Sequence, residues 1–189
     1  MTISLVWKIL LYGWTASEIY IAIATRTRQS GGAVHDRGSM LILWLGIVGS
    51  ITAAEYARYL THFPIFPNSP WFRLIPIPLI VAGLVVRWVA IFSLGKAFSA
   101  NVAIRDSQAL YRSGLYSIVR HPSYSGMLLI FLAIAVADRN WLSAAIVLIF
   151  PAAALLYRIH VEEAALNQAF GVQYAEYSRT TNRLIPGIY

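Results

Sequence analysis

The chain of 189 residues contains no cysteine. That absence removes disulfides, thiolate nucleophiles, iron–sulfur clusters and cysteine-ligated zinc from consideration, and it leaves the redox compartment unread. Charge is scarce as well: 12% of residues carry one, with 8 acidic side chains against 15 lysines and arginines. The four histidines, at positions 35, 62, 121 and 160, lack metal-ligand spacing, and the paired Glu-x-x-His motifs of a di-metal carboxylate bundle are missing. No metal is expected. Segments of about ten residues that alternate lipid-facing with lumen-facing side chains, the mark of a transmembrane barrel, do not occur. There is also no internal repeat, linker or low-complexity stretch.

What the chain does have is apolar surface, at 58% of residues and a mean hydropathy of +0.62. A soluble domain of this size cannot bury that much. The apolar residues fall in long blocks separated by short charged stretches, which predicts an all-α integral membrane protein forming a single membrane domain over 1–189. About five spans are expected: Ile3 to Thr25, Ser39 to Leu60, Phe72 to Gly95, Ser123 to Ala137 and Trp141 to Ile159. Each of the first three is long enough for a hydrocarbon core that needs roughly 20 helical residues. Only Asp138, Arg139 and Asn140 join the last two, so these form an antiparallel helical hairpin. Pro151 is expected to kink the fifth helix.

Five spans leave the chain ends on opposite sides. Ten of the 15 lysines and arginines, among them Arg26, Arg28, Arg37 and Arg105, fall on the face holding the first loop, the third loop and the tail. The positive-inside rule makes that face cytoplasmic and the N-terminus external. The formal charge of +7 is thereby a topology signal, and no nucleic-acid partner is expected. Ala22-Ile23-Ala24 resembles a signal-peptidase site, but Glu18 breaks the apolar core before it, so an uncleaved span is expected.

The tail continues the fifth helix to Phe170, where Gly171 is placed to end it. Tyr174 and Tyr177 lie three apart on a second short helix, at the depth where aromatic rings favour the membrane interface.

Nearly all polar residues not explained as loops or anchors lie between Gly95 and Tyr189. "RSGLYSIVRHPSYSG" combines glycines with a proline at a helix start, whose open first turn suits an anion. The returning hairpin brings Arg158, His160, Glu162 and Glu163 beside it. Arg120 and His121 also suit interfacial anchors, and Arg158 with Glu162, at i and i+4, a surface ion pair. Glu18, Glu55 and Arg87, within or near spans, suit either structural pairing or substrate entry. A transporter reading of these three conflicts with the lack of repeated broken helices. Gly46, Gly49 and Ala53 suit helix packing, within one chain or between two.

"GLYSIVRHPSYSG", followed by "RIHVEEAALNQAFGVQYAEYSRTTNRLIPGIY", resembles the isoprenylcysteine carboxyl methyltransferase family. That family's pattern joins Arg-His-Pro-x-Tyr-x-Gly to a Glu-Glu, a Phe-Gly-x-x-Tyr-x-x-Tyr and a closing Arg-Leu-Ile-Pro. The match runs roughly from Gly95 to Tyr189, so 1–95 holds three spans without a motif, and 96–189 holds the cofactor-binding loop, hairpin and tail.

The resemblance implies methyl transfer from S-adenosyl-L-methionine, bound on the cytoplasmic side, to the carboxylate of a prenylated cysteine that enters from the bilayer. Carried over by residue, Leu115, Tyr116, His121, Pro122, Tyr124 and Gly126 line the cofactor, Glu163, Tyr174 and Tyr177 close it, and Arg158 faces the acceptor, with Arg158 and Glu163 as the catalytic pair. A carboxylate is ionised at neutral pH and needs a positioning cation, not a base. A phospholipid amine or lipid phenol acceptor, which needs a base, and a non-catalytic membrane binding protein of the same fold are the alternatives.

Overall fold

The structure is a computed structural model that describes residues 3–25, 33–34, 38–61, 64–65, 73–99, 103–104 and 109–189. Arg26, Arg28, His35, Arg37, His62, Phe72 and Arg105 lie outside the described residues. Among the described residues six α-helices follow one another: α1 Ile3–Ala24, α2 Ser39–Leu60, α3 Pro76–Leu94, α4 Pro122–Asp138, α5 Trp141–Phe170 and α6 Val172–Thr180. Two-residue strands β1 (Ala33–Val34) and β2 (Ala103–Ile104) pair antiparallel, with Ala33 opposite Ile104.

Among the described residues three helices are long and apolar enough to cross a bilayer: α2, α3 and α5. α1 has 22 residues, and α4 is a shorter apolar helix of 17. At 1.5 Å per residue α4 spans about 26 Å, slightly under the hydrocarbon thickness. The described helices are apolar on the outside: Ile9, Ile19 and Ile23 of α1, Leu41, Leu45 and Val48 of α2, Val85 and Phe92 of α3, and Ile149 and Phe150 of α5 are all exposed. Polar side chains go inside, where Glu18, Ser39, Ser50, Arg87, Ser143 and Arg158 are buried. This inversion of the soluble pattern is what a lipid solvent selects, since tails tolerate apolar faces and polar groups must pair internally.

α3 packs against α4, α2 against α5, α4 against α5 and α1 against α3. The α3–α4 crossing depends on two glycines. A Cβ on Gly126 would stand 2.7 Å from the Gly83 carbonyl oxygen and 2.8 Å from the Arg87 nitrogen, and one on Gly83 would stand 2.7 Å from the Gly126 carbonyl. Only residues without a side chain permit that approach. Gly126→Ala is therefore expected to cost about 2–3 kcal/mol of stability, read as a lower thermal unfolding temperature in detergent. Gly46 packs within this chain, where an added Cβ would stand 3.0 Å from Ala154 Cβ, whereas Gly49 has open space and Ala53 is exposed.

The hairpin turn is well tied. Arg139 takes the left-handed conformation at φ 55, and Asn140 caps α5 by accepting from the Ser143 nitrogen at 3.0 Å. Ser143 Oγ donates to Asp138 at 2.5 Å, and Asn140 Nδ2 donates to the Thr61 carbonyl at 3.1 Å, fastening the turn to the end of α2. Pro151 is buried inside α5. Gly171 ends α5 at φ 49, and α6 turns back from it.

Candidate functional site

The stretch from Ser113 to His121 is irregular. A short 3-10 helix, Gly114–Ser117, is opened by Gly114 at φ 59, a conformation that L side chains rarely adopt. Residues 119–121 then run beside the tail: Val119 bridges Asn182 in parallel, the Arg120 nitrogen donates to the Asn182 carbonyl at 2.8 Å, and the His121 nitrogen donates to the Arg183 carbonyl at 3.0 Å. Ser125 Oγ extends the seam to the Leu184 carbonyl at 2.6 Å. The two motif segments, far apart in sequence, thus lie side by side.

Glu163 sits at the hub of this seam, 9% exposed. It accepts from Arg120 Nε at 3.0 Å and from Arg183 Nε at 3.0 Å, and His121 Nε2 lies 3.4 Å away. The Arg120 guanidinium also donates to the Ser178 carbonyl at 3.0 Å and to the Thr181 carbonyl, which clamps the end of α6. The Arg183 guanidinium is raised above its ordinary pKa, chiefly by its hydrogen bond to Glu163.

Beside this hub opens a cleft of about 890 Å³, part of it open to solvent. Its walls come from the end of α3 with the segment after it (Leu94, Ala97, Phe98, Ser99), from Leu110, Tyr111 and Tyr116, from the α4 start (Arg120, His121, Ser123, Tyr124), and from Arg158, Glu162, Leu166, Tyr174 and Tyr177. Tyr177 Oη donates to the Tyr116 carbonyl at 2.6 Å, closing α6 over the 3-10 turn. Burial pushes the Tyr177 phenol up to about 12 and holds those of Tyr116 and Tyr174 above their ordinary range. All three stay protonated at physiological pH, and those of Tyr116 and Tyr177 donate to backbone carbonyls. Tyr174 is 1% exposed, and its hydroxyl makes no hydrogen bond among the described residues.

Between the cleft and a second space among the helices stands a relay of polar groups. Arg158, 3% exposed, donates from Nε to Tyr124 Oη at 2.9 Å and from Nη1 to Ser39 Oγ at 3.0 Å. Tyr124 Oη donates in turn to Glu162 Oε2 at 2.8 Å, and the His121 ring stacks on Tyr124 with centroids 5.6 Å apart. Behind the relay lies this second chamber, of about 460 Å³, part of it open to the surroundings. It is lined by Ile21, Ala22, Met40, Leu43, Trp44, Ile47 and Met127, together with Glu18 and Arg87. Phe98, Ser99, Tyr124 and Arg158 border both spaces. The lining draws on the C-terminal end of α1, the N-terminal end of α2, the C-terminal end of α3, the N-terminal end of α4 and the C-terminal half of α5. Successive helices therefore run in alternating directions and present one common end to the site.

Of the residues expected to form the site, Tyr116, His121, Tyr124, Tyr174, Tyr177 and Arg158 come together on the cleft. Four others stand apart from its lining. Leu115 lies in the 3-10 turn, where its carbonyl accepts from the Ile118 and Val119 nitrogens. Pro122 is buried as the first residue of α4, and Gly126 is in the α3–α4 crossing. Glu163 anchors the seam, and its neighbour Glu162 faces the cleft. The interfacial placement expected for Tyr174 and Tyr177 is corrected: both are buried, because α6 folds back on the hub and turns its aromatic face inward. Arg158 and Glu162 form no surface pair, since Tyr124 Oη stands between them and Arg158 is buried. Glu55 does pair with Arg58 at the surface, and His160 is exposed.

Sequence reasoning missed Ser39, Phe98 and Ser99, and it brought Glu162 beside the site without assigning it to the lining. For Glu162 a signal was present, because four residues after Arg158 it must share that side chain's helix face, while Glu163 is rotated about 100° away.

Helices apolar outside and charged within, gathered round joined polar and apolar chambers, define a polytopic membrane enzyme. The isoprenylcysteine carboxyl methyltransferase family pattern matches residues 75–168. Protein-S-isoprenylcysteine O-methyltransferase B of Arabidopsis thaliana is 32% identical over 173 residues, covering 90% of this chain and 86% of that protein. Its counterpart A from the same plant is 32% identical over 134 residues, covering 68% of each. A solved structure of the eukaryotic intramembrane Ras methyltransferase shares the fold with a TM-score of 0.58 at 24% identity, covering 76% of this chain and 52% of that one. The chain spans about half the length of that solved protein. It belongs to the isoprenylcysteine carboxyl methyltransferase family.

Proposed function

We propose that this protein methylates the carboxylate of a prenylated cysteine at the membrane, using S-adenosyl-L-methionine held in the tyrosine-lined cleft. The observation that carries the reading is Arg158, a buried guanidinium in the wall shared by a polar cleft and an apolar chamber. A lipid-tailed acid matches that arrangement, with its tail in the apolar chamber and its charged end at the guanidinium.

The cleft suits the cofactor. Ring faces of Tyr111, Tyr116, Tyr124, Tyr174 and Tyr177 favour a sulfonium, the Glu162 carboxylate adds negative charge, and the Tyr174 hydroxyl offers an unused buried donor. When bound, S-adenosyl-L-methionine supplies a methyl group on a positively charged sulfur that leaves as a neutral thioether.

The chain's own residues have three tasks. Arg158 draws the acceptor carboxylate out of water and orients it, aided by its fixed bonds to Tyr124 and Ser39. The Tyr124–Glu162 bond keeps that hydroxyl turned toward the carboxylate side chain, leaving its oxygen to accept from Arg158. The apolar chamber and the α6 lid keep water from the ionised nucleophile. A carboxylate requires no general base, and His160, a possible base in the motif, is exposed and away from the cleft.

We further read all five long helices as crossing the bilayer, with α4 and α5 as a membrane hairpin. The N-terminus is then external, and the cleft, α6 and tail are cytoplasmic, in keeping with the lysine and arginine distribution.

The test is a panel of farnesylated acid, amine and phenol acceptors given to membranes containing the protein with labelled S-adenosyl-L-methionine. Base-labile label on the farnesylcysteine acid is the expected result. Label on phosphatidylethanolamine or on a phenol, with none on the acid, overturns the carboxylate reading.

A further inference from the structure

Ser123 occupies the open position of the Arg-His-Pro-x-Tyr-x-Gly pattern and has no part in the transfer described above. It is 6% exposed, lies in the first turn of α4 and lines the tyrosine cleft. Its Oγ accepts from Arg87 Nη1 at 2.7 Å, and the same nitrogen reaches the Ser123 carbonyl at 3.4 Å. Among the described residues the Ser123 hydroxyl donates to nothing.

Behind the serine stands a buried ion pair whose members come from spans without a motif. Arg87 of α3 and Glu18 of α1 meet fork to fork, Nε to Oε1 and Nη2 to Oε2, each at 2.5 Å. Trp14 Nε1 also donates to Glu18 Oε1, at 3.1 Å. With two of its nitrogens engaged by the carboxylate, the planar guanidinium holds Nη1 on Ser123. A guanidinium only donates, so the hydroxyl accepts from it and turns its own proton elsewhere. Accepting from a cation also makes the hydroxyl a better donor, because hydrogen bonds in a chain polarise one another.

The tyrosine faces and Glu162 answer the positive sulfur of S-adenosyl-L-methionine, which leaves the carboxylate of the same molecule to be met by donors. The first turn of α4 is the positive end of a 17-residue helix and favours an anion. We propose that Ser123 donates to a carboxylate oxygen of the cofactor, with Arg87 and Glu18 as positioning residues that turn its hydroxyl into the cleft. The inference rests on the cofactor half of the reading above. The acceptor's carboxylate has the same chemistry, but Ser123 is in the lining of the cleft and absent from that of the apolar chamber.

The test is equilibrium binding of S-adenosyl-L-methionine and of its decarboxylated form to the purified full chain in nanodiscs, without acceptor. Ser123→Ala is expected to weaken the first about tenfold and the second by no more than about twofold, since only the first carries the anion. A serine that merely seats Arg87 gives equal losses on both ligands, or a lower unfolding temperature with no loss on either, and each of these results overturns the proposal. If Ser123→Ala fails to fold, Ser123→Cys, similar in shape and a far weaker donor, must give the same selective loss. The joint replacement Glu18→Gln/Arg87→Met keeps the hydroxyl but frees its rotation, and about a threefold selective loss is expected. No selective loss there overturns the role given to the pair.

A second arm compares N-acetyl-S-farnesylcysteine with its methyl ester, whose affinity ratio should stay within about twofold of the parent in Ser123→Ala. Selective loss of that acid, with the cofactor ratio unmoved, overturns the assignment to the cofactor. A parent without saturable S-adenosyl-L-methionine binding overturns the proposed function and this inference together. One that binds it and methylates an amine or a phenol overturns the acceptor reading alone.

Discussion

Replacing Arg158 with alanine is expected to reduce methyl transfer to a farnesylcysteine acid by about 10³-fold in kcat/KM, or about 4 kcal/mol of transition-state stabilisation. The size follows from burial. At 3% exposure, with Nε on Tyr124 and Nη1 on Ser39, this guanidinium borders both chambers, and alanine in its place offers the acceptor carboxylate no charged donor. Arg158→Lys keeps the charge but not the planar fork, and about 10² of the loss should remain. Saturable S-adenosyl-L-methionine binding should stay within a few-fold of the parent in both variants. An Arg158→Ala protein that binds cofactor normally and transfers methyl at the parent rate would remove the acceptor role from this residue.

The second large effect is expected at Glu163. This carboxylate receives Arg120, Arg183 and His121, and through Arg120 it holds the carbonyls at the end of α6. Glu163→Ala leaves two guanidinium groups facing each other without a counter-ion beside a 9% exposed site, a loss of about 3–5 kcal/mol when a buried pair is broken. The tail from Asn182 onward should then detach from Arg120 and His121, and with it the lid formed by Tyr174 and Tyr177. The outcome to measure is at least about a 100-fold weaker binding of S-adenosyl-L-methionine, corresponding to about 2.7 kcal/mol, accompanied by rapid proteolysis after Arg179 or Arg183. Unchanged cofactor affinity with a protease-resistant tail would show that the hub is dispensable. Because Glu163 acts through the seam, Glu162→Gln offers a contrast: it disturbs the Tyr124 hydroxyl while leaving the tail docked.

The helices were legible before the fold was. Ser39 to Leu60 is α2 to the residue, the hairpin turn falls on Arg139 and Asn140 with Asp138 closing α4, and Gly171 ends α5, because uninterrupted apolar runs, a short polar connection and a glycine after the last helix former are local facts. The meeting of the Arg-His-Pro-x-Tyr-x-Gly stretch with the Glu-Glu and tail motifs could also be anticipated, since a short hairpin returns the chain to the side it left. Assignments of single residues within those motifs were less secure. Gly126 belongs to a helix crossing because its partner, Gly83, lies in a span that carries no motif. Tyr174 and Tyr177 are buried because the Arg120–Glu163 hub draws α6 inward, against their ordinary preference for an interface.

Composition and apolar run length decided that this chain is a helical membrane protein, and its spaced motifs decided its family, since both depend on what each segment contains. Which of two adjacent glutamates faces the cleft and how α1 contributes to the site depended on packing between segments as far apart as Glu18 and Arg87. Those relations are set by the phase of each helix against its neighbour and by the pairing of buried charge, and neither exists until the helices have assembled.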